Sequence, residues 1–455
     1  MQFQSTRDPN TIVSSSEAIL RGLAPDGGLF VPTAFPKAEL EDWKSLSYPE
    51  LAQKVHDGLY SLELWHGPTC AFKDYALQLM PKLLVQAKKN LGRTETTRIL
   101  VATSGDTGKA ALAGYAGLPG IEIEVFYPDA GTSEIQRLQM ATQAGDNVSV
   151  YAVNGNFDDA QTGVKRVFGD ASVAEELEKR NICLSSANSI NWGRLVPQIV
   201  YYFYAYFRLV EQGNVAWGKP VDFCVPTGNF GDILAGYYAK QMGLPVGKLV
   251  CASNKNNVLT DFIKTGTYDA RRTFYKTTSP SMDILISSNL ERLLFDLSGE
   301  NDAEIRMYMD ALGSAGRYQV SDNIKAKLDD AFWGGCCSEE ETEETIRRYW
   351  QDHNYLIDPH TAVAAEVLAQ YRIASGDETP AVEVSTASPY KFCGSVLTAI
   401  GETPCGDGLE LLDQLHAVSG VPVPCRLAEL KGKPRRFDKT VEKQAMEQAV
   451  LDFLK

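Results

Sequence analysis

Short apolar runs and helix-spaced apolar positions alternate along most of the chain. Strand-like runs fall at 61–65, 98–102, 121–127, 148–153, 221–225, 248–252 and 382–386. Between them apolar side chains recur at helical spacing. Leu77, Met80, Leu84 and Ala87 predict a helix over 74–89, and similar patterns predict helices over 109–116, 133–144, 192–210 and 233–242. Strands that are apolar throughout, rather than on alternate positions, are buried on both faces. The β-α-β alternation therefore predicts an α/β protein with parallel sheets flanked by helices. Residues 285–350 turn helical and acidic, ending in Glu339-Glu340-Glu341, which predicts a helical insertion. The last stretch, 427–455, reads as a closing helical tail. Residues 1–60 mix short helical patterns with turn signals such as Ala24-Pro25-Asp26-Gly27-Gly28.

Composition narrows the class. The 455 residues are 44% apolar and 22% charged, which excludes a disordered chain, a collagen and a coiled-coil rod. The net charge of −14 disfavours nucleic acid and anionic membrane as partners. The apolar run at 199–207 is far short of the ~20 residues that cross a bilayer. The N-terminus is polar and has no apolar signal core. Nine cysteines at irregular spacing form no zinc-ligand pattern. They predict reduced thiols, no metal and a cytoplasmic setting.

Five segments carry candidate chemistry. Thr103-Ser104-Gly105-Asp106-Thr107-Gly108 and Thr227-Gly228-Asn229-Phe230-Gly231-Asp232 each place a Gly-rich turn between a strand and a helix. Amide N–H groups at such a helix start favour an anion. The plain alternative is a tight turn that needs glycine for geometry alone. Neither turn has dinucleotide or P-loop spacing, so NAD and ATP are disfavoured. Lys73 lies between Phe72 and a helix start at Asp74. Burial near a helix N-terminus lowers an amine's pKa and suits it to Schiff-base chemistry, whereas a surface lysine beside an aspartate cap is the plain alternative. Ser385-Thr386 ends a strand in hydroxyls, where parallel sheets bind ligands or simply continue into a polar loop. Asn188, Asn191 and Arg194 cluster at the start of the 192–210 helix. A cation there runs against the helix dipole unless an oxyanion, or a surface salt bridge, accompanies it. His360 is a candidate base or helix cap, His66 packs beside the lysine loop, and Cys70 reads as a small apolar filler.

Taken in order, these segments resemble threonine synthase, a pyridoxal-phosphate family of the tryptophan-synthase-β fold type (fold type II). The similarity runs from Ser5-Thr6-Arg7 and 22–32 through 66–74, 103–108, 186–194, 226–232, 279–295 and 358–364 to 385–392. It implies two parallel-sheet domains with pyridoxal 5'-phosphate in the cleft between them. The expected boundaries are an N-terminal segment at 1–95, a smaller mobile domain at 96–215 and a larger one at 216–455, with the lysine helix packed on the larger. The resemblance implies Lys73 as the Schiff-base lysine, and Gly228, Asn229, Phe230, Gly231 and Asp232 as the cradle of the cofactor phosphate. It implies Thr386 at the pyridine nitrogen, and Ser104, Asp106, Thr107, Asn188, Asn191 and Arg194 on the substrate. The implied reaction turns O-phospho-L-homoserine and water into L-threonine and phosphate. A phospho-lyase of the same family, acting on O-phosphohomoserine or O-phosphothreonine, is the alternative. The chain departs from the family's common pattern at Cys70, Ser388 and Tyr390.

Overall fold

Two parallel sheets organise the protein, seen here as a computed structural model that describes residues 1–38, 40, 52–56, 59–129 and 132–453. One sheet has six strands, in the order Phe332–Cys336, Val246–Ser253, Val221–Pro226, Ala381–Ser385, Leu59–Glu63 and Ala52–His56. Its neighbours run parallel except for the last pair, which is antiparallel. The other sheet has five strands, in the order Thr440–Glu442, Val148–Asn154, Ile121–Pro128, Thr96–Ala102 and Ile182–Ser186, all parallel. A small antiparallel sheet of Ile12–Ser14, Gln2–Ser5 and Phe30–Pro32 carries the N-terminus.

The continuous apolar runs have the cause expected of them. In Thr96–Ala102, Ile99 and Val101 join one buried cluster while Leu100 and Ala102 join another on the opposite face. In the six-stranded sheet, Phe223 and Val225 face one core and Cys224 faces a second. No described helix is long and apolar enough to cross a membrane, and none of the nine cysteines is in a disulfide.

Four differences from the linear reading have physical reasons. The lysine helix, Lys73–Asn90, buries Leu77, Met80 and Leu84 in the core of the five-stranded sheet, not against the larger sheet. The helix Trp192–Glu211 follows the five-stranded sheet in sequence but buries Trp192, Leu195, Tyr201 and Tyr202 in the core of the six-stranded one. The 285–350 stretch contains four helices and also the strand Phe332–Cys336, an edge of the six-stranded sheet. The tail is not all helix either: Thr440–Glu442 adds an edge strand beside Val148–Asn154. Short strands of this kind hold too few residues to show a period, and only a neighbouring strand's free edge makes them strands. The segments expected to divide at 95 and 215 thus exchange elements across both boundaries.

The lysine helix meets the helix Asp106–Tyr115 at Gly114, where an added Cβ would lie 2.0 Å from the Leu77 carbonyl oxygen. Backbone cannot give way as a side-chain tip can. Gly114→Ala is expected to destabilise the protein by about 1–3 kcal/mol. Urea unfolding measures it, and an unchanged midpoint would contradict the close approach.

Candidate active site

A cavity opens where the carboxyl ends of both sheets converge. Thr103 follows Thr96–Ala102, Asn188 follows Ile182–Ser186, Thr227 follows Val221–Pro226, and Thr386 follows Ala381–Ser385; all four line it. Crossover helices crowd the faces of parallel sheets, so these strand ends are where side chains from several elements can meet.

Lys73 is the first residue of its helix, one position ahead of the expected start at Asp74, and Asp74 is not the aspartate cap of the plain alternative. Asp74 instead accepts hydrogen bonds from the Thr69 amide at 2.8 Å and the Thr69 hydroxyl at 2.6 Å, closing the loop that precedes the helix. That closure leaves no room for a Cβ at Gly67, which would lie 2.5 Å from an Asp74 oxygen. Lys73 is therefore no surface lysine. Its Nζ lies 3.3 Å from Ser281 Oγ, 3.7 Å from an Asp106 oxygen and 4.9 Å from the Phe72 ring centre. Burial lowers its pKa to about 8, reinforced by Arg194 and Lys391 and opposed by Asp106 and Asp232.

The second glycine turn borders the same cavity. Ser287 Oγ donates to the Gly228 carbonyl at 2.8 Å, and the Asn289 amide donates to the Asn229 carbonyl at 3.1 Å. A trans peptide places C=O and N–H on opposite sides, so the N–H groups of Asn229 and Phe230 point away from 287–289. The left-handed backbone that glycine favours falls at Phe230, with φ 63°, and not at Gly231. Gly228 is the position that excludes a side chain, since its Cβ would meet the Ser281 carbonyl at 2.5 Å. At Gly231 a Cβ has open space to 3.5 Å. Asp232 lines the cavity, and its Oδ1 accepts from Tyr201 at 2.6 Å and Tyr202 at 2.8 Å. Burial raises its pKa to about 6 in spite of those bonds.

In the first turn, Ser104 and Thr107 line the cavity, but the Thr103 hydroxyl is engaged by the amides of Gly105 and Gly108, both at 2.9 Å. Asp106 borders the cavity too, yet its carboxylate is held by the Lys391 ammonium and by Gln136 Nε2 at 2.7 Å. Burial opposes its ionisation, but Lys391 and Lys73 outweigh that and keep it well below the usual carboxylate range.

Arg194 is buried, donates to the Ala187 carbonyl at 2.7 Å, and leaves Nε without a hydrogen-bond partner. No carboxylate pairs with it among the described residues, so the surface salt bridge is excluded. Asn188 lines the cavity beside it, donating to the Ala102 carbonyl at 2.9 Å. Asn191 does not line it. Its amide caps Trp192–Glu211 through Gly193 and donates to the carbonyls of Ile19 and Ser186. The expectation that Asn191 meets a substrate is corrected on that ground.

Thr386 lines the cavity, whereas Ser385 points to the opposite face, where it meets Trp65 at 3.0 Å and Thr361 at 3.0 Å. His360, a candidate base or cap in the sequence, lines the cavity, and Lys391, given no role there, lies behind Asp106. His360 is capped by Asp358, rather than being a cap itself, and its Nε2 accepts from the Ser281 amide at 3.2 Å. Lys391 is fully buried behind Asp106. Its only linear signal was a charged residue in an apolar segment after a strand.

Three family models match this chain: threonine synthase N terminus over residues 2–63, pyridoxal-phosphate dependent enzyme over 44–320, and threonine synthase C-terminal over 361–451. A threonine synthase from Pseudomonas aeruginosa is 40% identical over 89% of this chain and 92% of its own length. The chain belongs to the threonine synthase family. Human threonine synthase-like 1 is also 40% identical, over 85% of this chain, but the chain spans only 58% of that relative's length. The crystal structure of pyridoxal-phosphate-bound threonine synthase from Brucella melitensis superposes with a TM-score of 0.86 at 33% identity, covering 99% of both chains. The pyridoxal-phosphate fold of this family accounts for the two parallel sheets. The donor set fits its cofactor: one buried amine of lowered pKa, one helix start with outward amides, and an unpaired guanidinium share a single cavity.

The lowered amine pKa is open to measurement. In the protein stripped of cofactor, Lys73 is expected to reach half its maximal acylation rate near pH 8, against about 10.4 for an unperturbed lysine. Competitive labelling with peptide mapping reads both classes at once. A Lys73 midpoint equal to that of surface lysines would contradict its burial.

Proposed function

We propose that the protein is a threonine synthase: it converts O-phospho-L-homoserine and water to L-threonine and phosphate with pyridoxal 5'-phosphate as cofactor. The observation that carries this reading is the buried Lys73 amine sharing one cavity with the 227–231 turn and with the unpaired Arg194. The cofactor, when bound, supplies an electron sink that makes substrate C–H bonds acidic.

Lys73 holds the cofactor at rest. Once released, its amine, with a pKa lowered to about 8, is the base for the Cα proton when neutral and the carrier of a proton at Cβ. Ser281 Oγ, at 3.3 Å, orients that amine. Backbone amides of Gly228, Asn229, Phe230, Gly231 and Asp232 take the cofactor's phosphate, which the dipole of the helix Gly231–Gln241 favours. Thr386 offers the ring nitrogen a neutral hydroxyl, which does not hold it protonated as a carboxylate would. Arg194, with Asn188, Ser104 and Thr107, takes the anionic groups of the substrate. Asp106 acts through other side chains, and Asn191 supports the loop that carries Asn188. The substrate is a small anion, and the net charge of −14 supports no nucleic-acid or membrane partner. We place the reaction in the cytoplasm, a setting that the nine unpaired thiols support.

Product analysis tests the reading. Threonine and phosphate are expected in equal amounts from O-phospho-L-homoserine, whereas 2-oxobutyrate with ammonia would make the protein a phospho-lyase. Lys73→Ala is expected to abolish turnover, and borohydride reduction of the holoenzyme should label Lys73; a label on another lysine removes the assignment. Arg194→Gln is expected to lower kcat/KM by about 10- to 100-fold, the loss of one charge-assisted hydrogen bond in a buried site. Unchanged kcat/KM in that variant would place the substrate's anionic groups elsewhere.

A further inference from the structure

Lys391 has no part in the roles assigned above, yet it is only 1% exposed. It enters from the turn Pro389–Phe392 behind the strand Ala381–Ser385, on the six-stranded side. Its ammonium meets Asp106 and donates to the Thr69 carbonyl at 3.1 Å. Asp106 belongs to the opposite half, as the first residue of the helix Asp106–Tyr115 that packs on the five-stranded sheet. The contact is held from both sides. Gln136, in the helix Glu134–Ala141, donates to Asp106 at 2.7 Å, and Ser133, the cap of that helix, donates to the Lys391 carbonyl at 3.0 Å.

The second Asp106 oxygen lies 3.7 Å from Lys73 Nζ. A lone carboxylate at that distance, away from water, would hold the Lys73 amine as an ammonium, unable to attack or to accept a proton. We propose that Lys391 is a positioning residue that neutralises Asp106, so that Asp106 fixes the place of the Lys73 amine without locking it in the charged state. The proposal rests on Lys73 being the reactive amine of the proposed function.

Other charged groups face Lys73 and set the background. Arg194, from the helix Trp192–Glu211, disfavours its charge, and Asp232, from the helix Gly231–Gln241, favours it. From the 279–284 segment come Ser281, held by His360, and the cavity-lining Asp283. Asp283 accepts from Asn254 at 2.8 Å and from Thr277 at 2.7 Å, so it is tied into its own loop. Among the described residues Asp106, at 3.7 Å, is the acid that forms an ion pair with the amine, and Ser281 accepts its hydrogen bond at 3.3 Å. Asp106 is therefore the acid whose charge matters most, and Lys391 is its closest partner.

The sign follows from removing each charge. Lys391→Met leaves Lys73 as the only cation on Asp106 and raises the Lys73 midpoint. Asp106→Asn removes the anion and lowers it. The double variant removes both and returns toward wild type, and Lys391→Arg keeps the wild-type value. The midpoint is read by pH-dependent acylation of Lys73 in the cofactor-free full chain, with circular dichroism to confirm the fold. The pH midpoint of the holoenzyme's visible absorbance is expected to move in the same directions. Opposite shifts of about 1 pH unit or more for the two single variants are expected. A general packing role would move neither midpoint, or both the same way, and either result overturns the proposal. If Lys391→Met does not fold, Asp106→Asn and the double variant carry the comparison: equal midpoints in Asp106→Asn and wild type overturn it. Failure of the Lys73 assignment is separate, because it shows as a borohydride label on another lysine with these midpoints unaffected.

Discussion

Taking an ammonium out of water is costly unless another charge or a bound ligand compensates, and the cavity of this protein is built around that constraint. Lys73 is buried with a carboxylate at 3.7 Å, but that carboxylate is already matched by a second buried amine. Arg194 is buried with no acid paired to it among the described residues. The Arg194 guanidinium thus keeps a donor that the described protein groups leave unmet. A buried guanidinium without an acid suits an anionic guest, such as the phosphate-bearing cofactor and substrate proposed above.

The scaffold places these buried charges where stable elements converge. Strands buried on both faces hold the carboxyl edges of the two sheets at fixed positions, so the turns that follow them meet without needing mutual contacts of their own. Supporting residues then orient the turns. Ser287 and Asn289 hold the carbonyls of the 228–229 turn. Asp358 caps the helix that aims His360 at the Ser281 amide. Several residues that looked like site residues by type have this supporting role: Asn191 caps a helix, Thr103 closes a turn, and Asp74 closes a loop. The N-terminal Arg7 likewise serves architecture, pairing with Glu291 at 2.7 Å and so tying the small sheet to the segment behind the glycine turn.

The two halves are coupled more closely than their separate sheets suggest. The lysine helix packs on one core while its catalytic end opens beside elements of the other, and the helix Trp192–Glu211 does the reverse. The Asp106–Lys391 contact crosses the same cleft. The surroundings of Lys73 are therefore joined to both sheets.

Much of this was legible in the linear chain. The alternation of apolar runs and helical spacing set the α/β class, because a strand buried on both faces must be apolar at every position. The order of the glycine turns, the lysine segment and the Arg194 segment set the family and most of the cavity, because backbone shape and anion affinity demand particular residue types at fixed offsets. Tertiary structure decided which of those polar groups are open and which are engaged. Asn191 and Asn188 have the same chemistry, and only the neighbouring Ile19 and Ser186 carbonyls separate the helix cap from the cavity wall. It also decided the need for glycine at Gly228 rather than Gly231, since the obstructing Ser281 carbonyl is brought in from far along the chain. Lys391 gave only a faint linear signal, a charged residue with apolar neighbours, and no role. A buried charge is recognisable only by its partner, and Asp106 reaches it across a cleft formed by residues nearly three hundred positions apart.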